Sequence, residues 1–226
     1  MFVEAVALAQ DCVFPILSIA IQTDSRVTIS RHGTGFFISQ DGTFFSASHC
    51  FPVLDGNSKF VFAGNLPDHR QEPILEIKVL FRDEQQDLLV GKTNYSPKHA
   101  LSFSIIDPRV GTAVCAIGYP LFDGDNASWQ PDRVRQLALP SYVVGFANGI
   151  GDNGQIVDGL LLRDPIVPGM SGGPILNPNG EVVGIASQTA IPQTATFAAG
   201  DRQIKFEFGI AAKVSNVNIF LAAQPR

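Results

Sequence analysis

Hydrophobic residues in this sequence come in short bursts, and nearly every burst is closed by a turn-forming cluster. The bursts fall at residues 13–21, 35–39, 43–47, 59–63, 74–81 and 88–90, and again at 113–118, 137–146, 155–162, 173–176, 182–186 and 204–211. Clusters such as Gln40-Asp41-Gly42, Asp152-Asn153-Gly154 and Asn177-Pro178-Asn179-Gly180 separate many of them. Runs this short suit strands joined by tight turns rather than packed helices. Composition agrees, since 21 glycines, 15 prolines and 17 phenylalanines favour turns and pleated surfaces over a helical bundle. With 45% apolar residues the chain can bury a real core, which excludes disorder. The pattern predicts an all-β sandwich or barrel. One helix is expected near the end, where Ser215 would cap a turn that places Val217, Phe220 and Leu221 on one face. The polar stretch Thr93-Asn94-Tyr95-Ser96-Pro97-Lys98-His99 is expected to connect two sets of strands.

Several function classes drop out. The net charge is −5 with no block of like charges, so neither a nucleic-acid footprint nor a polybasic membrane patch is present. Cys12, Cys50 and Cys115 stand far apart without a C-x-x-C pair, which argues against a disulfide scaffold and against a zinc site. They are expected to be small buried hydrophobes. The apolar N-terminal stretch carries Glu4 where a secretory signal wants a basic residue, and Asp11 and Pro15 interrupt it before it could span a bilayer. A soluble, cytoplasmic chain is the expectation.

The strongest chemical signal is Pro168-Gly169-Met170-Ser171-Gly172-Gly173-Pro174. A serine hydroxyl becomes a useful nucleophile when its surroundings expose it, take its proton and stabilise the oxyanion that its attack creates. Flanking glycines let the backbone turn sharply, and the loop Gly169, Met170 and Ser171 could then aim the N–H groups of Gly169 and Ser171 at one point. A base is also needed. His69 and His99 sit in polar, proline-containing stretches, and His32 lies in Ser30-Arg31-His32-Gly33, expected to be a turn. His49 differs: it ends the apolar run Thr43-Phe44-Phe45-Ser46-Ala47-Ser48-His49, with small residues beside the ring. For the acid that orients the histidine, Asp87 leads directly into Leu88-Leu89-Val90, whereas Asp83 sits among charges. The order His49, Asp87, Ser171 matters because chain order differs among unrelated triad folds. Gly169-Met170-Ser171-Gly172-Gly173 fits the nucleophile pattern of the α/β-hydrolases, yet no histidine follows Ser171, which excludes that triad.

Gly33-Thr34-Gly35-Phe36-Phe37-Ile38, Ser46-Ala47-Ser48-His49-Cys50, Asp87-Leu88-Leu89-Val90 and Ala116-Ile117-Gly118-Tyr119-Pro120 together resemble the blocks of a trypsin-like serine peptidase. The nucleophile block, with Gly180-Glu181-Val182-Val183-Gly184-Ile185 after it, is most similar to the HtrA/Deg type, and the expectation is a protease domain of that type without PDZ. The resemblance implies two six-stranded antiparallel Greek-key barrels: residues 1–98 carrying His49 and Asp87, residues 99–226 carrying Ser171 and the terminal helix. It implies an endopeptidase acting through an acyl-enzyme on protein or peptide substrates, with no cofactor and no metal. It places the substrate pocket at Pro165, Ile166 and Pro168, at Ser187, Gln188 and Thr189, and at Gly209 and Ala211, and it suggests an extended substrate strand pairing near residues 187–189. With Pro165 and Ile166 at its base, that pocket is expected to be apolar and to prefer aliphatic residues, unless Asp164 is brought into it. The loop 190–202 is expected to be mobile and to control access. The alternative from another class is the same barrel pair serving as a protein-binding adaptor.

Overall fold

Alternating apolar residues build two barrels in succession. The computed structural model describes residues 1–21, 27–54, 58–62, 75–121, 136–150, 156–190, 196–199, 202–205 and 207–222, so His69 and the turn Asp152-Asn153-Gly154 lie outside the described residues. The first barrel uses β1 (Val13–Ile21), β2 (Val27–Phe37), β3 (Thr43–Ser46), β4 (Ser58–Phe62), β5 (Leu75–Glu76), β6 (Lys78–Asp83) and β7 (Leu88–Lys92), in the order β5-β4-β1-β2-β3-β7-β6 with antiparallel neighbours. β5 and β6 stand at opposite ends of that order, yet Ile77 alone separates them in sequence. The Ile77 N–H donates to Phe60 O at 3.1 Å, so the two pieces are one bent stretch that curls the sheet round on itself. Phenylalanines fill the interior. Phe14 packs on Phe37 and Phe44 with ring centroids 4.6 and 5.2 Å apart, tilted and edge-on as aromatic quadrupoles prefer.

The second barrel is closed, with six antiparallel strands. They are β8 (Ala113–Gly118), β9 (Leu137–Ile150), β10 (Ile156–Leu162), β11 (Pro174–Leu176), β12 (Val182–Ala190) and, beyond a side hairpin of β13 (Thr196–Ala199) and β14 (Arg202–Lys205), β15 (Phe208–Lys213). The segment expected to be a mobile loop therefore contains a paired hairpin, while residues 191–195, 200 and 201 lie outside the described residues.

Two helices and one long connection join the barrels. α1 (Val3–Gln10) buries Ala5 and Ala9, and α2 (Val214–Ala222) buries Val214, Val217 and Phe220. Leu221 is 39% exposed rather than buried, and the first turn is capped by Asp107, whose Oδ1 accepts the Ser215 N–H at 3.0 Å. Both helices share one apolar cluster with Phe36, Phe45 and Leu88 of the first barrel and Ile117, Leu176 and Val182 of the second. The connection over 93–112 is laced to both sides: Leu101 N–H donates to Phe37 O, and Ser104 N–H to Val182 O, each at 2.9 Å. No helix among the described residues is long and apolar enough to cross a membrane.

Candidate active site

β3 ends at Ser46, and a single 3-10 turn, Ser48–Cys50, lifts His49 to the barrel rim. Three contacts fix it to one carboxylate. The backbone N–H of His49 donates to Asp87 Oδ1 at 2.9 Å, and ring Nδ1 lies 2.8 Å from Oδ2 and 3.0 Å from Oδ1. The imidazole is 43% exposed and the carboxylate 8%. Asp87 holds a left-handed backbone conformation (φ 55°), which aspartate tolerates better than most residues. Its carbonyl accepts the Ser48 N–H at 3.2 Å, and its Oδ2 accepts the Ser187 hydroxyl at 2.6 Å. Burial works to raise the Asp87 pKa, but the hydrogen bonds and charge of His49 and the Ser187 donor outweigh it, and the net direction is down. For His49 burial works downward, and the hydrogen bond to Asp87, aided by the Cys50 thiol and the Asp87 charge, carries the net direction above the ordinary histidine value. Arg82 in β6 braces the turn from outside, giving Nε–H to Ser48 Oγ and a second donor to Ser48 O, both at 2.8 Å, and reaching Phe51 O as well.

The loop before β11 runs through two tight turns, Met170 N–H to Val167 O and Gly173 N–H to Met170 O, each at 3.0 Å. Gly169 (φ 89°) and Gly172 (φ 84°) occupy their left-handed corners. Glycine is required at 172 twice over, since a Cβ there would also lie 2.2 Å from Thr34 O. Three of the loop's carbonyls are tied back. Leu121 N–H holds Pro168 O at 2.7 Å, Thr34 Oγ1 holds Gly169 O at 2.7 Å, and Thr34 N–H holds Ser171 O at 2.8 Å. Among the described residues nothing accepts from the N–H of Gly169 or of Ser171. Met170 is 0% exposed and packs in the second barrel's core, and both its N–H and its carbonyl are used in the two turns, so of the expected oxyanion loop only Gly169 and Ser171 have an N–H left over.

Ser171 and His49 line one cleft of about 560 Å³ between the barrels. Ser171 Oγ donates to Ser187 O at 2.8 Å rather than to His49. Ser187 can accept because it sits in a β-bulge: Ala186 pairs with Ala211 and Gln188 with Ile210, leaving Ser187 the extra residue. Bulges re-aim side chains in this way beside functional sites. The sequence-based assignment of Ser187 to the substrate strand missed its bond to Asp87, because a bulge leaves no mark in hydropathy.

Of the residues expected to contact substrate, Pro165, Ile166, Pro168, Ser187, Gln188 and Thr189 line the cleft, and Val167 and Glu207 join them. Gly209 and Ala211 do not. Ala211 is 0% exposed inside the barrel, and Gly209 is covered by Ile166, whose Cγ1 would lie 3.1 Å from a Cβ at that position. Nothing in Lys205-Phe206-Glu207-Phe208 singles out Glu207, since an acid ahead of a strand is ordinary. His32 is not in a turn. It is the bulged residue of β2, with Nε2 2.7 Å from Ser18 Oγ, and burial lowers its pKa. The three cysteines are free and buried; Cys50 donates to Ser171 O at 3.3 Å, and Gly33 stands where a side chain would run into its sulfur.

The sequence pattern of the family described as trypsin-like peptidase domain matches residues 33–185. The chain is 29% identical over 165 residues to serine protease Rv3671c of Mycobacterium tuberculosis strain H37Rv, covering 73% of this chain and 38% of that protein. It is 30% identical over 199 residues to a Bartonella henselae protein described as "Probable periplasmic serine endoprotease DegP-like", covering 85% of this chain and 33% of the other. It thus spans well under half the length of these curated relatives. Among solved structures, the active form of the Rv3671c protease from M. tuberculosis superposes with a TM-score of 0.64 at 21% identity, covering 98% of this chain and 86% of that one, a likeness of fold.

Proposed function

Because the chain belongs to the trypsin-like peptidase family, we propose that it is a serine endopeptidase in which Ser171 is the nucleophile, His49 the general base and acid, and Asp87 the orienting carboxylate. The observation that carries this reading is the hold of Asp87 on both the backbone N–H and ring Nδ1 of His49, on the wall of the cleft that also holds Ser171. With Nδ1 committed to Asp87, Nε2 is the ring nitrogen left to serve the cleft.

The reaction follows from those positions. Ser171 Oγ attacks the scissile carbonyl carbon while its proton passes to His49 Nε2. The carbonyl oxygen, now an oxyanion, takes the two uncommitted N–H groups of Gly169 and Ser171. The C–N bond breaks and the amine leaves with the proton from His49. A water then loses a proton to His49 and attacks the acyl ester; the bond from carbon to Ser171 Oγ breaks, Oγ takes the proton back from His49, and the carboxylic product leaves. In the free protein the Ser171 hydroxyl must first rotate from Ser187 O towards His49, as catalytic bonds in unliganded sites often tighten only with substrate. The substrate class, protein or peptide, is carried over from the family.

That same bond to Ser187 favours a second reading, an adaptor barrel that binds peptides without cutting them. A fluorophosphonate probe separates the two. Covalent labelling of the wild type and none of Ser171→Ala is the expected result. A wild type that resists the probe and cleaves no peptide selects the adaptor.

A further inference from the structure

Sequence alone predicts an apolar side-chain pocket, and Pro165, Ile166 and Val167 supply apolar walls. The cleft also contains a carboxylate. Glu207 is exposed and lines it, and among the described residues no donor or cation contacts that side chain. The nearby acid Asp164 is spoken for: Arg163 Nη2 lies 2.8 Å from its Oδ2 and Nε 3.0 Å, and it does not line the cleft. The Thr189 hydroxyl is likewise occupied, donating to Ile166 O at 2.8 Å. His49 stands with Ser171 at the reaction centre. The uncommitted charge of the remaining walls is therefore negative.

The geometry points to Glu207 as the residue that selects lysine or arginine immediately before the scissile bond, an assignment that rests on the peptidase reading of the same cleft. A long basic side chain lays its methylenes on Pro165, Ile166 and Val167 and presents its charged head to the carboxylate. A short aliphatic residue fills the walls without reaching that far, and an acidic residue meets repulsion. Glu207 is exposed, so water screens the contact and the preference is modest, about fivefold, equivalent to about 1 kcal/mol. Contact with a substrate side chain far from the breaking bond is made equally in ground and transition states, so it appears mainly in KM.

The test compares peptides that differ only in the residue before the scissile bond, as lysine, arginine, norleucine or glutamate, with kcat/KM measured for wild type, Glu207→Gln, Glu207→Lys and Asp164→Asn. The expected result is a lysine-to-norleucine ratio of about five for wild type, about one for Glu207→Gln, and below one for Glu207→Lys. The wild-type ratio should also shrink as salt rises and the Debye length falls from about 10 Å at 0.1 M to about 3 Å at 1 M. A wild-type ratio at or below one, with cleavage abolished by Ser171→Ala, overturns the specificity and leaves the peptidase standing. A preference that survives Glu207→Gln but is lost in Asp164→Asn transfers the role to the other acid. No Ser171-dependent cleavage of any peptide, together with no probe labelling, brings down both.

Discussion

At the scale of single residues, Asp87 concentrates the most consequence. Asparagine tolerates the same left-handed backbone, so Asp87→Asn should fold normally while losing the carboxylate that sets the histidine's tautomer. The expected loss in kcat is about 10⁴. The pH profile should move as well. In the proposed reaction His49 must be neutral to accept the Ser171 proton, so activity should rise with pH through its pKa; contact with Asp87 holds that pKa high and should push the acid limb above the ordinary histidine range. In Asp87→Asn the residual activity should gain its acid limb at lower pH, which a kcat/KM profile of the two proteins checks. Asp83→Asn should keep most activity, since the Asp83 carboxylate serves only its own turn, accepting the N–H of Gln85 and Gln86 at 2.9 and 3.0 Å. The contrast between these acids was legible in the sequence because an acid entering an apolar strand is buried by that strand. The bond of Ser187 to Asp87 and the place of Glu207 in the cleft were not legible. One owes its position to a bulge, and the other to a wall that exists only once β15 has closed the barrel.

Between residue and barrel stands the element, and here β6 acts on the histidine turn through Arg82. Its planar guanidinium meets one hydroxyl and two carbonyls at both ends of that turn, a pattern a single ammonium cannot copy. Arg82→Ala should lower kcat about tenfold or more, with a smaller change in KM, by loosening His49 within an intact barrel. Arg82→Lys should fail to restore the rate. Steady-state kinetics beside far-UV circular dichroism separates this from unfolding, which would remove both signals together. Most strands were visible in the sequence as short apolar runs, but the first part of β2, the hairpin of β13 and β14, and α1 were not. In α1 the buried residues Ala5 and Ala9, with Phe2 at the N-cap, have helical spacing, yet Val3, Val6 and Leu8 around them are apolar too, and the period disappears in a uniformly hydrophobic stretch. The α2 face was legible at Val217 and Phe220, whereas its cap comes from Asp107, a hundred residues upstream, beyond any local signal.

Across the whole molecule the proposed reaction centre belongs to neither barrel. Asp87 and His49 come from the first and Ser171 and Ser187 from the second, with Thr34 of β2 gripping the nucleophile loop across the gap. The same joint is sealed away from the site by aromatic rings: Phe45 meets Phe103 at 5.1 Å and Phe220 at 6.2 Å between centroids. Phe220→Ala should destabilise the protein by about 3 kcal/mol, read from the shift of its urea midpoint. The apolar cluster over which α1 and α2 lie is continuous from one barrel to the other, and that has a thermal consequence. Neither barrel can expose its share of the cluster without stripping the partner's. A scanning calorimeter should therefore record one endotherm, with the calorimetric and van't Hoff enthalpies equal, and enzymatic activity should vanish at the same temperature as the strand signal.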